Sequence, residues 1–166
     1  MLTSMYPMYA LRWFQKLDTF QVQKEVEFDA GHRVPLHASK CRNPHGHRYR
    51  VRATVEGTLR QSGSSTGMVV DFGDLKALLT ERVHDRYDHG FVVWEDDFAL
   101  RTCLTDAAAP EQWKVIVEPW HPTAENMAKA IFLDLDKPVR GLGGRLVAID
   151  VWETPTSVAT YTGGQR

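Results

Sequence analysis

Two stretches of the chain alternate between apolar and polar residues with a period of two. They cover residues 22–30 and 48–59, and most of the polar positions carry charged side chains. This pattern predicts strands with one packed face and one wet face, as in an antiparallel sheet. Similar alternation over 147–151 predicts a later strand, and residues 157–162 are a candidate for a last one. A further short strand is predicted at 68–70.

Two other segments show helical spacing of their apolar residues. The first follows Asp71, a favourable N-cap residue, and is expected to continue to about Asp85. The second begins at Thr123 and is expected to end before Pro138, because proline removes a helix hydrogen bond. These two segments are the predicted helices of the domain.

Residues 91–121 have a less regular pattern. The runs FVVWEDD at 91–97 and WKVIVEP at 113–119 are typical of strands, with an Ala-Pro loop at 107–110 between them. The complete order is ββ(β)–α–(ββ)–α–ββ. It predicts an α+β fold in which both helices lie on one face of an antiparallel sheet.

Length and composition limit the class of protein. The 166 residues fit one domain at 20–166, preceded by an N-terminal arm at 1–19 and interrupted by an insertion-like segment at 91–121. With 43% hydrophobic and 25% charged residues, wholesale disorder is excluded. The net charge of -1 gives no basic field for nucleic acid or a membrane surface. Two distant cysteines and no long apolar run favour a soluble protein of the reducing cytoplasm.

The strand periodicity places three histidines on one sheet face. His32 continues the inward parity of the first strand, and His45 and His47 share the inward parity of the second. A single histidine on such a face is more often a hydrogen-bonded core residue. A His-x-His pair with a third histidine across a hairpin instead favours a metal site, best fitted by Zn²⁺ with its fourth position open, as in catalytic sites.

Four further residues carry candidate chemistry. Cys41, four residues before His45, could complete a structural metal site, act as a base, or simply be a small buried residue. Asp88 and His89 follow the first helix and could form either a proton relay or a helix end stabilised by an imidazole. Glu153 continues the inward parity of a late strand, where a carboxylate needs either water or two parallel donors such as a guanidine-like ring edge.

Taken together, six segments resemble the 6-pyruvoyltetrahydropterin synthase and 6-carboxytetrahydropterin synthase family. They are FDAGHR at 28–33, CRNPHGH at 41–47, GMVVDFGDLK at 67–76, YDH at 87–89, HPTAEN at 121–126 and VWET at 151–154. The segments occur in family order between about residues 20 and 162. The resemblance therefore covers most of the chain.

The resemblance implies the tunnelling (T-) fold, in which subunits join their sheets into a barrel, usually as a hexamer made of two trimers. It implies Zn²⁺ bound by His32, His45 and His47. It also implies that Cys41 is the base that abstracts a proton from the substrate.

The same resemblance assigns the remaining candidates. Asp88 and His89 would form the second acid/base pair, Glu153 would anchor the pterin ring, and Thr123 would line the same pocket. The implied substrate is the small molecule 7,8-dihydroneopterin triphosphate. Neither nucleic acid nor membrane is an implied partner.

The spacing Cys-x-x-x-His-Gly-His resembles the bacterial 6-carboxy branch of the 7-deazapurine (queuosine, preQ0) route. Animal-type pyruvoyl enzymes typically place the cysteine two residues further from the first histidine. The favoured products are therefore 6-carboxy-5,6,7,8-tetrahydropterin, acetaldehyde and triphosphate. The alternatives are a 6-pyruvoyltetrahydropterin synthase, which only eliminates triphosphate, and a zinc-stabilised binding module without turnover.

One departure from the family concerns the second strand. Arg48 follows His-Gly-His, where the family more often has a small polar residue. Arg42, Arg48, Arg50 and Arg52 fit a wet strand face or a site for the triphosphate. They are also the only basis for a nucleic-acid interpretation, which the balanced overall charge disfavours.

Overall fold

The computed structural model describes residues 18–106 and 113–164. The arm expected at 1–19 therefore lies almost entirely outside the described residues, as does the Ala-Pro loop expected at 107–110. No helix in the described residues is long and apolar enough to cross a membrane.

Six strands form one sheet in the order β4-β3-β1-β2-β5-β6. They are β1 (Thr19–His32), β2 (His45–Thr58), β3 (Gly90–Trp94), β4 (Val115–Glu118), β5 (Arg145–Thr154) and β6 (Ser157–Tyr161). The helices are α1 (Phe72–Leu79), α2 (Asp85–Tyr87), α3 (Phe98–Asp106) and α4 (Ala124–Gly141), with a π-helical turn (Thr80–His84) between α1 and α2 and a 3₁₀ turn (Lys40–Arg42) before β2.

The predicted pair of long strands is confirmed. β1 and β2 run antiparallel along their whole lengths, from Thr19 opposite Thr58 to His32 opposite His45. Phe28 and Tyr49 are buried, whereas their charged neighbours Glu27 and Arg48 are exposed, because successive side chains point to opposite faces. This alternation fixes which face of the sheet receives the helices.

The expectation of a purely antiparallel sheet is wrong at one edge. The two strands predicted within 91–121 are present as β3 and β4, but β3 pairs in parallel with β1 and β4 pairs in parallel with β3. A parallel neighbour needs a long crossover connection. That connection contains α3, a helix that the sequence pattern did not indicate.

The first predicted helix is confirmed at its start. The Asp71 side chain accepts a hydrogen bond from the Gly73 N–H at 2.6 Å, as expected of an N-cap. The helical backbone continues to Tyr87 through the π-helical turn. The short strand expected at 68–70 is absent. Val69 and Val70 are buried through their side chains, but their backbone joins no strand ladder.

The second predicted helix extends further than expected. Thr123 is its N-cap residue, but α4 continues through Pro138 to Gly141. Proline removes only one N–H from the last turn, whereas the fully buried side chains of Leu135 and Val139 attach that turn to the core. Packing therefore outweighs the loss of one hydrogen bond.

The core lies between the inward face of β1, β2 and β5 and the helices α1 and α4. The prediction that Val147 of β5 points inward is wrong. A bulge opposite Thr54 and Val55 places the Leu146 side chain in the core instead. Beyond the bulge, Ile149 and Val151 point inward as predicted. The apolar face ends near the three histidines, which therefore mark the boundary between core and candidate site.

An ion pair attaches α3 to the end of β1. The Arg33 guanidinium donates to both carboxylate oxygens of Asp97, with Nε to Oδ2 at 2.6 Å, and this contact lowers the pKa of Asp97. The Asp97 side chain is 4% exposed. We expect Arg33→Met to lower the free energy of unfolding by about 3 kcal/mol, because it leaves a buried carboxylate unpaired. Urea denaturation measures this loss.

The pH dependence of that loss is a check on its cause. The folded pKa of Asp97 is lowered from the ordinary value of 3.8, so its contribution to stability is complete above that pH and disappears as the pH falls through the folded value. The difference in the free energy of unfolding between wild type and Arg33→Met should therefore become smaller at acidic pH. A double variant Arg33→Met/Asp97→Leu should recover part of the loss, and equal instability of both variants would contradict the prediction.

Candidate active site

Three histidines meet where β1 ends and β2 begins. His32 lies opposite His45 in the ladder, and His47 lies two residues further along β2. One nitrogen of each ring lies within 4.8 Å of the others. The predicted grouping of His32, His45 and His47 is therefore present, and its cause is the register of the β1–β2 pair.

Two of the rings are oriented by backbone carbonyls. His32 Nδ1 donates to the Pro122 carbonyl at 2.6 Å, and His45 Nδ1 donates to the Asn43 carbonyl at 2.8 Å. Each Nε2 then keeps its lone pair. The Nε2 of His32 is buried without a hydrogen-bond partner among the described residues, which is costly unless another group occupies that position.

The protonation of the cluster also suits a metal ion. Burial lowers the pKa of His32 to about 4, and the neighbouring His45 and His47 contribute to this shift. Burial likewise lowers the pKa of His47. Neutral imidazoles with fixed tautomers are the form that binds zinc, so the donor set fits Zn²⁺ with three protein ligands and an open fourth position.

A cavity of about 260 Å³ brings other predicted site residues to two of these histidines. Cys41, Thr123 and Glu153 line it together with His32 and His45. The Cys41 thiol is free and half-buried, and the Cys41 carbonyl accepts a hydrogen bond from the Val34 N–H at 2.8 Å. This bond holds the cysteine turn against the chain that leaves His32.

Thr123 has a structural role in addition to its place in the cavity wall. Its side chain accepts a 3.5 Å hydrogen bond from the Asn126 N–H at the start of α4. The side-chain amide of Asn126 donates a hydrogen bond from Nδ2 to the His121 carbonyl at 3.0 Å. These contacts fix the turn whose Pro122 carbonyl orients His32.

Glu153 lines this cavity next to Tyr49 and His32. Its Oε1 accepts from the Tyr49 hydroxyl at 3.5 Å and lies 4.0 Å from His32 Nε2. Burial raises the pKa of Glu153, and the charge of Glu125 raises it further. Burial and the Glu153 carboxylate in turn raise the pKa of Tyr49. A ligand that donates hydrogen bonds to this carboxylate would compensate for its burial.

Asp88 and His89 form a pair, but this pair does not line the cavity of Cys41. The His89 ring nitrogen Nδ1 is 2.7 Å from Asp88 Oδ2, and the His89 side chain is 81% exposed. Asp88 Oδ1 accepts from the Asp29 N–H, and this bond and the His89 ring lower the Asp88 pKa. His89 instead lines a separate depression that includes His47.

Two residues of the site were not identified from the sequence. Tyr49 follows His45 and His47 on the same parity, so the alternation that located the histidines also contained the signal for Tyr49. Glu125 belongs to the HPTAEN segment and lines the cavity. Its effect on Glu153 depends on the docking of α4 against β5, which no local pattern specifies.

Comparison with known sequences gives matches over most of the chain. The family model described as 6-pyruvoyl tetrahydropterin synthase matches residues 21–164. A Haemophilus influenzae protein named 6-carboxy-5,6,7,8-tetrahydropterin synthase is 34% identical over 147 residues, which are 86% of this chain and 98% of that protein. A Synechocystis protein of the same name is 37% identical over 141 residues, covering 84% and 91% of the two chains.

Solved structures support the same fold. A crystal structure of an uncharacterized protein from Wolinella succinogenes superposes with a TM-score of 0.72 at 24% identity, covering 88% of this chain and 99% of that one. The 6-pyruvoyl tetrahydropterin synthase of Caenorhabditis elegans gives a TM-score of 0.63 at 23% identity, covering 89% and 98%. These similarities confirm the T-fold. With the family match from 21 to 164, they establish that the chain belongs to the 6-pyruvoyl tetrahydropterin synthase family.

Proposed function

We propose that this protein is a zinc-dependent synthase that converts 7,8-dihydroneopterin triphosphate and water into 6-carboxy-5,6,7,8-tetrahydropterin, acetaldehyde and triphosphate. The main support is that Cys41 and Glu153 line one cavity with two of three clustered histidines. The names of the relatives from Haemophilus influenzae and Synechocystis favour the carboxy product. The short spacing from Cys41 to His45 favours it as well.

The chain's own residues have distinct roles in this proposal. His32, His45 and His47 would hold the zinc ion, which supplies a Lewis acid that acidifies a C–H bond beside the substrate hydroxyls. The Cys41 thiolate takes the proton from that carbon. The Glu153 carboxylate accepts hydrogen bonds from the pterin ring and thereby sets its orientation.

The Asp88–His89 pair is proposed as the second acid/base group. Asp88 orients the His89 ring, which leaves the other ring nitrogen to exchange a proton with a substrate. Since His89 is exposed and lies outside the Cys41 cavity of its own chain, the pair would serve a substrate held by another subunit.

This role requires a homo-oligomer, which we propose to be a hexamer made of two trimers. β6 is an edge strand of the described sheet, and β3 covers β1 only over Ala30–His32. Both open edges are available to strands of other copies. The product would enter 7-deazapurine biosynthesis, and the free cysteines are compatible with a cytoplasmic location.

Incubation of the zinc-loaded protein with 7,8-dihydroneopterin triphosphate tests the proposal. Mass spectrometry of the pterin and an enzymatic assay for acetaldehyde should show the carboxy product and acetaldehyde in equal amounts. A pyruvoyl product without acetaldehyde would support triphosphate elimination alone. Absence of any turnover with zinc still bound would support a binding module and contradict the proposal.

Glu153→Gln tests the anchoring role. The amide keeps the size of the side chain but replaces one acceptor oxygen by a donor, so it cannot receive two parallel N–H groups. We expect kcat/KM to fall by about 10²-fold while zinc content stays unchanged. Steady-state kinetics and metal analysis measure the two quantities. A variant with wild-type kcat/KM would refute the anchoring role.

A further inference from the structure

A second cleft lies beside the histidine cluster. It has a volume of about 510 Å³, and its polar and aromatic lining residues are Glu27, His47, Arg48, Arg50, Trp152, Glu153 and Thr154. We call it the arginine cleft. The β2–β5 ladder extends only as far as Arg50 opposite Trp152, so the two strands are not paired beyond this point, towards His47 and Glu153. The arginine cleft therefore begins where the sheet opens next to the metal cluster.

The three arginines on the wet face of β2 differ in their partners. Arg48 donates to Glu27 at 3.1 Å, and Arg52 donates to Asp150 at 2.9 Å. Arg50 makes no ion pair with any residue in 18–106 or 113–164, although Glu27 is its neighbour in the β1–β2 ladder. Its guanidinium lies 4.2 Å from the centroid of the Trp152 ring. Arg50 is thus stacked on an aromatic ring and makes no ion pair among the described residues.

The wall of the arginine cleft also contains a hydroxyl group without a hydrogen-bond partner among the described residues. This group is Thr154 Oγ1, which is buried. A buried hydroxyl without a partner is unfavourable unless a ligand completes its hydrogen bonding. A guanidinium and a hydroxyl are both donors that suit phosphate oxygens.

We propose that Arg50 and Thr154 form an anion subsite that binds the triphosphate of the substrate. The inference rests on the proposed function, because that substrate carries its triphosphate on the side chain that reacts at the metal. His47 belongs to the metal cluster and also lines the arginine cleft, and Glu153 lines both the cleft and the Cys41 cavity. The cleft therefore adjoins both the metal cluster and the residue proposed to hold the pterin ring.

Trp152 has a positioning role in this subsite. Its ring also lies 4.8 Å from the Arg52 guanidinium, so it contacts both the paired and the unpaired arginine. Stacking holds the Arg50 guanidinium against the indole ring, while the neighbouring Glu27 carboxylate is paired with Arg48. The subsite is thus made by the register of β2 against β5.

Binding of inorganic tripolyphosphate to zinc-loaded protein tests the subsite without any turnover. Arg50→Gln should weaken binding at least tenfold in calorimetry, because it removes a charged donor. Thr154→Val, which keeps the shape of the side chain, should weaken binding about threefold or more. All variants keep the three histidines, so any contact between phosphate and zinc is common to them.

Arg145→Gln is the matched control. Arg145 is an exposed arginine at the far end of the same sheet, where it pairs with Glu56, and its removal should leave tripolyphosphate binding unchanged. ATP distinguishes phosphate from pterin recognition: the Arg50→Gln loss should appear with ATP as well as with the pterin triphosphate. Wild-type affinity in both Arg50→Gln and Thr154→Val, or no tripolyphosphate binding by the wild type, would overturn the proposal.

The subsite and the reaction can fail separately. If the wild type turns over the pterin but Arg50→Gln leaves both KM and tripolyphosphate affinity unchanged, only the subsite is wrong. If tripolyphosphate binding depends on Arg50 but no pterin product forms, the anion site is supported and the proposed reaction is wrong. With both correct, Arg50→Gln should raise KM for the pterin triphosphate at least tenfold and change kcat less.

Discussion

Cys41→Ala is expected to lower kcat by at least 10²-fold with little change in zinc content. The thiol lines the same cavity as His32, His45 and Glu153, and it belongs to none of the three metal-binding groups. Removal of a positioned general base typically costs between 10² and 10⁴ in rate. Single-turnover measurement of product formation, together with metal analysis of the same sample, gives both quantities.

The second cysteine of the chain provides a matched control. Cys103 is exposed on α3 and lies outside the cavity, so Cys103→Ala should keep the wild-type rate. Equal rates for Cys41→Ala and the wild type would exclude the thiol as the base. Loss of zinc from Cys41→Ala would instead indicate that the thiol is a fourth metal ligand and that the site is closed.

His45→Ala is expected to release the zinc ion and lower turnover by at least 10³-fold. Two imidazoles bind zinc far more weakly than three, because the loss of one ligand removes one metal–nitrogen bond. The His45 ring is only half-buried, so its removal disturbs the core less than the removal of His32 would. Metal analysis after dialysis measures the loss of zinc, steady-state kinetics measures the loss of turnover, and circular dichroism shows whether the variant is folded.

The nearby His37 is the control for metal binding. It is exposed and lines the Cys41 cavity, but it lies outside the three-histidine cluster, so His37→Ala should retain one zinc ion per chain. An open catalytic site predicts that His45→Ala remains folded, because its core lies between the sheet and the helices α1 and α4. Unfolding of His45→Ala or of the chelated protein would instead support a zinc-stabilised binding module.

The metal cluster could be predicted from the sequence because a strand has an exact two-residue period. Once β1 and β2 are adjacent, the inward parity of Phe28 leads to His32 and that of Tyr49 leads to His47 and His45. The prediction needed only the assumption that the two strands pair. The inward orientation of Glu153 could be predicted in the same way, because Glu153 continues the two-residue period of Ile149 and Val151 beyond the bulge.

Other features depend on contacts between distant segments. The parallel direction of β3 and β4 follows from the crossover that contains α3, and a strand pattern carries no information about the direction of its neighbour. The extension of α4 beyond Pro138 follows from the burial of Val139. In both cases tertiary packing outweighs a local preference.

The position of the Asp88–His89 pair illustrates the same limit within the site. The sequence gives two adjacent polar residues after a helix, and the structure fixes them by hydrogen bonds between Asp29 of β1 and both members of the pair. The fact that Asp88 and His89 are adjacent in the sequence therefore did not indicate which cavity they would line. The unpaired state of Arg50 is equally invisible in sequence, because Arg48 and Arg52 occupy the same face of β2.

The sequence by itself determined the α+β class, the two long strands, the starts of the two main helices and the three histidines on one face. These features follow from backbone periodicity and capping, which act over a few residues. Only the tertiary structure decided which candidates share a cavity, which carboxyl group is buried and which arginine of β2 makes no ion pair within the described part of the chain. These properties depend on the register between β2 and β5 and on the docking of α4, where residues far apart in the chain exclude water and compensate each other's charge.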